Sequence, residues 1–184
     1  MRCRGFTLIE LLIALAIFAF LIMLAGPQLA SFMGNSQIRN ATDAMLNGVQ
    51  QAQATAVRNN TLARLVVDTT AGTGGWQVFQ TFDGAESATP VQVYTYQDGA
   101  PKVSVTTIPA DARQITFDGF GRVLLPKNVD GTDPLTCIKV TNPNVSTPHK
   151  LNVAISSTGT GVGTKLCDPD AAATEPQACP AACN

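Results

Sequence analysis

The chain has 184 residues, of which 14% are charged and 45% hydrophobic. That length carries one domain with one core, and so low a charge content excludes a disordered, solvating polypeptide. Twelve Lys and Arg stand against thirteen Asp and Glu, a formal net charge of −1, without the basic footprint of a dedicated nucleic-acid binder.

Residues 11–25 are fifteen consecutive apolar side chains. Extended back to Phe6 and forward to Gly26, interrupted only by Thr7 and Glu10, the run makes a helix of about 30 Å, the thickness of a bilayer's hydrocarbon core. It ends in Leu24-Ala25-Gly26-Pro27, which lacks the small-x-small cleavage site of a secretory signal. An uncleaved membrane anchor is therefore expected. Arg2 and Arg4 precede it, so the positive-inside rule leaves the N-terminus in the cytoplasm and exports the rest. Glu10 is the anomaly. An acidic or basic side chain at the centre of a membrane helix costs about 2.5–3.5 kcal/mol, and a buried carboxylate needs a partner. The next cation, Arg39, lies about eight helical turns away. The partner must be an α-amine made by cleavage just upstream, or else Glu10 stays solvated at the headgroup level.

The segment Arg4-Gly5-Phe6-Thr7-Leu8-Ile9-Glu10-Leu11 resembles the type IV pilin signal. That resemblance implies a leader, residues 1–5, removed by a prepilin peptidase between Gly5 and Phe6, and N-methylation of the new Phe6 amine. It further implies that Glu10 attracts the N-terminal amine of a neighbouring subunit during assembly. Residues 6–27 become the transmembrane and filament-core helix, and Pro27 falls where many pilins carry a helix-kinking proline. A proline inside a helix removes a hydrogen bond and bends it.

Past Pro27 the helical pattern becomes amphipathic. Leu29, Phe32, Met33, Ile38, Met45, Val49, Ala52, Ala56 and Val57 recur at three- and four-residue steps between polar residues, which predicts one long helix over roughly 6–58 whose second half packs on a sheet. Gly34-Asn35-Ser36 is the weak spot, with Ser36 as a cap or bend. After residue 60 the period changes to two. Strands are expected at 61–68 and 76–82, joined by the turn-rich 70–75 as a hairpin, and at 91–96, 102–107, 114–117, 122–125, 136–142, 151–157 and 162–167. Most are short and bounded by Gly, Pro, Asn or Asp, as an antiparallel meander requires. The expected fold is α+β: a long N-terminal helix, continuing through 28–60, packed on an antiparallel β head over 61–167. Residues 168–184, with three prolines, read as an irregular tail.

The helix end at 52–59, the element Phe117-Asp-Gly-Phe-Gly-Arg-Val123 and a late hairpin whose returning strand carries Cys167 resemble the GspH/FimT family of minor subunits. With Cys3 lost in the leader, Cys137, Cys167, Cys179 and Cys183 remain, an even number that suggests periplasmic disulfides with three pairings open. Cys137–Cys167 is favoured because it joins two strands; Cys179–Cys183 or an exchange among the four are the alternatives. Cysteines near the C-terminus resemble the pilus branch of the family more than the type II secretion branch.

Some members of the family bind DNA through a basic stretch in the late hairpin. Here Lys165 is its only cation, and Arg122 sits in a separate Gly-Arg element; affinity for DNA needs several phosphate contacts, so nucleic acid is not an expected partner. His149 is the only histidine and lies in a polar loop, which leaves no catalytic triad and no His-Cys zinc set. No cofactor is expected. The residues and the resemblance together describe a non-enzymatic minor pilin of the inner membrane with its head in the periplasm, later part of an extracellular pilus. Its partners would be the bilayer, the prepilin peptidase, the inner-membrane assembly platform and other major and minor pilins. The rivals are a minor pseudopilin of type II secretion, a DNA-uptake receptor and a periplasmic enzyme on an ordinary anchor.

Overall fold

Thr7 opens the long helix. Its backbone is extended and its hydroxyl accepts a hydrogen bond from the Glu10 N–H at 3.3 Å, satisfying one of the N–H groups that a helix start leaves without an intrahelical partner. The computed structural model describes residues 7–82, 85–158 and 161–183; the processing residues Gly5 and Phe6 lie outside them. Helix α1 spans Leu8–Asn59 and ends on Asn60 in the left-handed conformation, φ 50°, whose N–H reaches the carbonyls of Ala56 and Val57. Asparagine tolerates that geometry better than most residues.

From Gly34 onward one stripe of α1 turns inward. Gly34, Ile38, Ala41, Met45, Gly48 and Ala52 are buried at alternating steps of four and three, the spacing of one helix face. The expected weak spot at 34–36 is instead a seam. The helix runs through it without a break. A Cβ on Gly34 would come within 2.2 Å of the Val145 Cγ2, and the Asn35 Oδ1 accepts the His149 backbone N–H at 3.1 Å. Four residues of the expected core stripe prove exposed: Leu29, Phe32, Met33 and Val57. The first three precede the seam, and Val57 projects beside the adjoining stripe residue Ala56 on the outward side.

Among the described residues nine strands follow: β1 (Ala63–Asp68), β2 (Gly75–Phe82), β3 (Ala85–Glu86), β4 (Gln92–Thr95), β5 (Ser104–Ile108), β6 (Gln114–Phe117), β7 (Cys137–Thr141), β8 (Leu151–Thr158) and β9 (Gly161–Cys167). Every pairing is antiparallel. The strands divide into two sheets, β3-β2-β1-β6 with β4 also on β2, and β5-β7-β8-β9. The β1–β2 hairpin forms as expected, with Asp68 opposite Gly75. The strand expected at 122–125 does not form. It is reduced to a bridge between Phe117 and Val123 because Pro126 has no N–H with which to extend the ladder.

The alternation of strand side chains sends Leu65 and Val67 of β1, Trp76 and Val78 of β2 and Ile115 and Phe117 of β6 into one core with the α1 stripe; Ile138, Val140, Val153 and Ile155 of the second sheet join it. The Trp76 indole donates to the Ala44 carbonyl at 2.8 Å, and its ring lies where a Cβ on Gly48 would be. The phenol of buried Tyr96 donates to the Asp68 carbonyl at 3.0 Å.

The opposite face of the second sheet carries a satellite cluster of Cys137, Ala154, Cys167 and Cys183. The disulfides are Cys137–Cys183, Cα atoms 5.4 Å apart, and Cys167–Cys179, Cα atoms 4.8 Å apart. The favoured Cys137–Cys167 pairing is thereby corrected, and the reason is topological. Cys137 lies on β7 opposite Ala154, Cys167 lies on β9 opposite Asn152, and β8 runs between them. Two strand spacings amount to about 9.5 Å, beyond the reach of a disulfide. The tail folds over this face instead. It is pinned by both bonds, by the Asn152 amide donating to the Cys183 carbonyl at 2.9 Å and by a bridge between Asp168 and Ala178.

Candidate assembly site

Physically, the first half of α1 is unlike the rest of the chain. Leu8, Ile9, Leu11, Leu12, Ile13, Leu15, Ile17, Phe18, Phe20, Leu21, Ile22 and Met23 are each more than half exposed, on every side of the helix. Burying one such side chain is worth about 1.5–3 kcal/mol, so this surface has a large driving force to leave water. Among the described residues no single straight helix is long and apolar enough to cross a membrane. The pair Leu8–Met23 and Gln28–Asn59, bent by 41° at the break between them, is so by length and composition. The break contains Pro27, whose side chain lies outside the described residues.

Glu10 sits in this surface at the third helical position after the Thr7 cap. A carboxylate there complements the positive end of the helix dipole, and a glutamate three residues after Thr can turn back onto the cap N–H. Here it does not. Among the described residues the Glu10 carboxylate has no hydrogen-bond or ion-pair partner, and it projects from the helix among leucines and isoleucines.

The two weaker candidates for contact with DNA are far from free. Arg122 pairs with Asp118 at 2.8 Å and lies over the Phe120 ring, 5.1 Å from its centroid. Burial alone would push the Asp118 carboxyl up, but N–H groups of Arg122 and Phe120, together with the Arg122 guanidinium, hold it below the usual carboxylate value. The Lys165 ammonium donates to the Ala178 carbonyl at 2.9 Å. One residue borders the first sheet and the other lies on β9 of the second, so the fold does not gather them into a basic stripe. The Sγ atoms of Cys167, Cys179 and Cys183 lie within 4.8 Å of one another. Both disulfides would have to be reduced before this group could offer thiolates to a metal.

Comparison with known families adds two matches. Residues 1–26 match the prokaryotic N-terminal methylation motif. Residues 41–159, well over half of the chain, match the family described as type II transport protein GspH. The chain belongs to the GspH family. Among solved structures, the Pseudomonas aeruginosa type IV minor pilin FimU in a P21 crystal is similar at 16% identity and a TM-score of 0.51, over 73% of this chain and 92% of that one. The same protein in a P65 crystal gives 15% identity and a TM-score of 0.47, over 69% and 91%. At such identity the first likeness concerns the fold, a long helix on an antiparallel head. Comparison with curated proteins finds no match.

The GspH-family head also holds a polar network that sequence reasoning missed. The Arg64 guanidinium grips Glu86 with two nitrogens and the Gln114 amide oxygen with a third. The Gln114 nitrogen donates to Asp130 and Thr132. The Asn128 amide ties Thr116 to the 128–133 loop, accepting the Thr116 N–H at 3.1 Å and donating to the Thr132 hydroxyl and the Asp133 carbonyl. The available signal was alternation. Arg64, Gln114 and Thr116 occupy the strand positions that point away from the helix, yet Gln114 and Thr116 are buried, because the 128–133 loop folds over them.

Proposed function

We propose that this GspH-family chain is a minor type IV pilin, a structural subunit of the pilus or of its priming or tip complex. The observation that carries the reading is the apolar, unpacked first half of α1 with the unpartnered Glu10 set into it. A leader ending at Gly5 is removed at the cytoplasmic face, and the Phe6 amine is methylated. The helix waits in the inner membrane with the head in the periplasm, then exchanges lipid for the helices of other pilins. Glu10 sets the axial register. A carboxylate and an amine about 4 Å apart attract by about 1 kcal/mol in water and about 4 kcal/mol at an effective dielectric of 20, so the pairing gains strength as the helices close around it. Pro27 bends the helix between its membrane and head segments.

The β head makes lateral contacts with other minor subunits, and nothing in its charge pattern supports catalysis or DNA binding as its task. The match to a family described by type II transport favours one alternative, a minor pseudopilin with the same mechanics and other partners. Gene neighbourhood separates the two.

The deciding experiment is the mass and N-terminal residue of protein extracted from membranes. A chain beginning at methylated Phe6 is expected. A retained Met1, or a start beyond the apolar stretch, sinks the pilus and pseudopilus readings together.

A further inference from the structure

Where α1 meets the head, Phe32, Asn35 and Arg39 line a cleft of about 400 Å³ together with His149, Lys150 and Asp168. The three helix residues are spaced by three and four, so they share one helix face. The two walls are tied by the Asn35 Oδ1, which accepts the His149 backbone N–H at 3.1 Å. The cleft carries charges of both signs. Lys150 meets Asp170 at 3.4 Å in an exposed ion pair, a kind that contributes little in water. Arg39 has no hydrogen-bond or ion-pair partner among the described residues, and the Asp168 carboxylate accepts only the Asp170 N–H among them. A guanidinium and a carboxylate thus line one cavity without pairing with each other.

A second, independent observation is where the cleft lies along the helix. Leu29, Phe32 and Met33 are left uncovered by the head, Phe32 by 72%. The exposed apolar surface of α1 therefore runs past Pro27 and up to the cleft. With the residues before Gly26 in hydrocarbon, Phe32 stands about 9 Å further along the axis. The polar layer on each side of a bilayer is about 5–8 Å deep, so Phe32 is at its outer part, and the bend between the two helix segments lowers it further. Arg39 is two turns beyond, but long helical side chains lean back toward the N-terminus, here toward the bilayer. An aromatic ring with cations just above it is the pattern of a membrane interface.

We propose that this cleft binds the headgroup of phosphatidylethanolamine, a phospholipid with a primary ammonium; the inference rests on the membrane reading of α1 given above. The phosphate takes the Arg39 guanidinium, whose planar fork suits phosphate oxygens, and the nearby Lys150. The ammonium, with three donors and no acceptor, takes the Asp168 carboxylate. The acyl chains descend along Phe32 and Leu29. A purely anionic headgroup leaves Asp168 facing negative charge, and a quaternary ammonium has no N–H to give it. Bound in this way, one lipid holds the head against the membrane surface until the helix leaves the bilayer.

The test uses isotope-labelled full-length protein in dodecyl maltoside micelles, titrated with dihexanoyl-phosphatidylethanolamine. The dihexanoyl choline and glycerol lipids and inorganic phosphate are titrated in parallel. Saturable shifts of the Arg39 Nε–H and the His149 amide are expected with the ethanolamine lipid, at concentrations about tenfold or more below those the other three require. Arg39→Gln and Asp168→Asn should each weaken that response by about tenfold or more, the scale of one charge-assisted hydrogen bond. Arg58→Gln, an exposed arginine at the far end of α1, should leave it unchanged. An equal response to the choline or glycerol lipid, saturation by phosphate alone, or an undiminished response in folded Arg39→Gln or Asp168→Asn overturns the inference. Insertion of the full chain into phosphatidylcholine vesicles is measured alongside. Lost lipid preference with intact insertion sinks this inference alone, whereas failed insertion sinks the membrane reading beneath it.

Discussion

Helix α1 is one element with two solvents. From Gly34 to Ala56 a stripe of small and apolar residues faces inward, and Ile38, Met45 and Val49 are wholly buried against the strands. In Leu8–Met23 apolar residues go all the way round, and every large one is exposed. The same 3.6 period operates in both halves, but only a one-sided pattern encodes a fixed neighbour within the chain. An all-round pattern encodes an environment. The first half is therefore a surface for other molecules, and the second is part of a folded domain.

The largest expected effect of breaking this contrast is at Glu10, the polar exception in the first half. Glu10→Ala should leave membrane insertion intact and reduce incorporation into filaments by at least about tenfold, the equivalent of about 1.4 kcal/mol. Quantifying the variant in sheared filaments against membrane fractions checks it, and normal incorporation would remove the register role. Next comes a matched pair of truncations. Met45→Ala should cost about 2–5 kcal/mol of head stability, whereas Leu15→Ala should leave it within about 0.5 kcal/mol; denaturant melts in detergent read both.

Glycines give a smaller, sharper contrast. Gly34→Ala thrusts a Cβ into Val145 and should destabilise by about 1–3 kcal/mol. Gly26 has nothing within 4 Å of where its Cβ would be, and Gly26→Ala should be neutral or stabilising by up to about 1 kcal/mol, the helix-propensity gain.

The smallest effect is that of acid, and it is confined to the head. Hydrogen bonds from the Thr70 hydroxyl and N–H hold the Asp68 carboxyl below its ordinary value, and Asp118 is lowered as described above. Each binds its proton more weakly folded than unfolded. Their stabilisation is therefore complete above the ordinary carboxylate range, near pH 4, and is withdrawn as pH falls through the lower folded values. Melting temperature should stay level from neutrality to about pH 5 as far as these groups decide it, then fall. Asp118→Asn should flatten part of that fall.

What could be read in advance followed from local rules. The helix and the β1–β2 hairpin rest on periodicity and turn chemistry, and the structure has them; the inward stripe expected from just past Pro27 begins only at Gly34. What escaped depends on which strands become neighbours. The cysteine pairing follows from β8 lying between β7 and β9, an order that spacing along the chain does not state. The burial of Gln114 and Thr116 follows from the 128–133 loop folding back over β6. Leu29, Phe32 and Met33 satisfy the helical period as well as Ile38 does; they are exposed because the head begins only at the Gly34–Val145 contact. That Glu10 has no partner among the described residues was legible from the absence of a cation between it and Arg39, whereas the lack of a cation beside Asp130 needed the fold to show that Arg64 is already taken.

Trp76 is the only tryptophan, and it sits at the joint between helix and head, its indole N–H on the Ala44 carbonyl and its ring against Gly48. The molecule thus carries its own optical gauge. Any event that lifts the helix from the sheet, whether heat, detergent or the pull of neighbouring subunits, must hydrate that indole and redden its fluorescence, with no label attached.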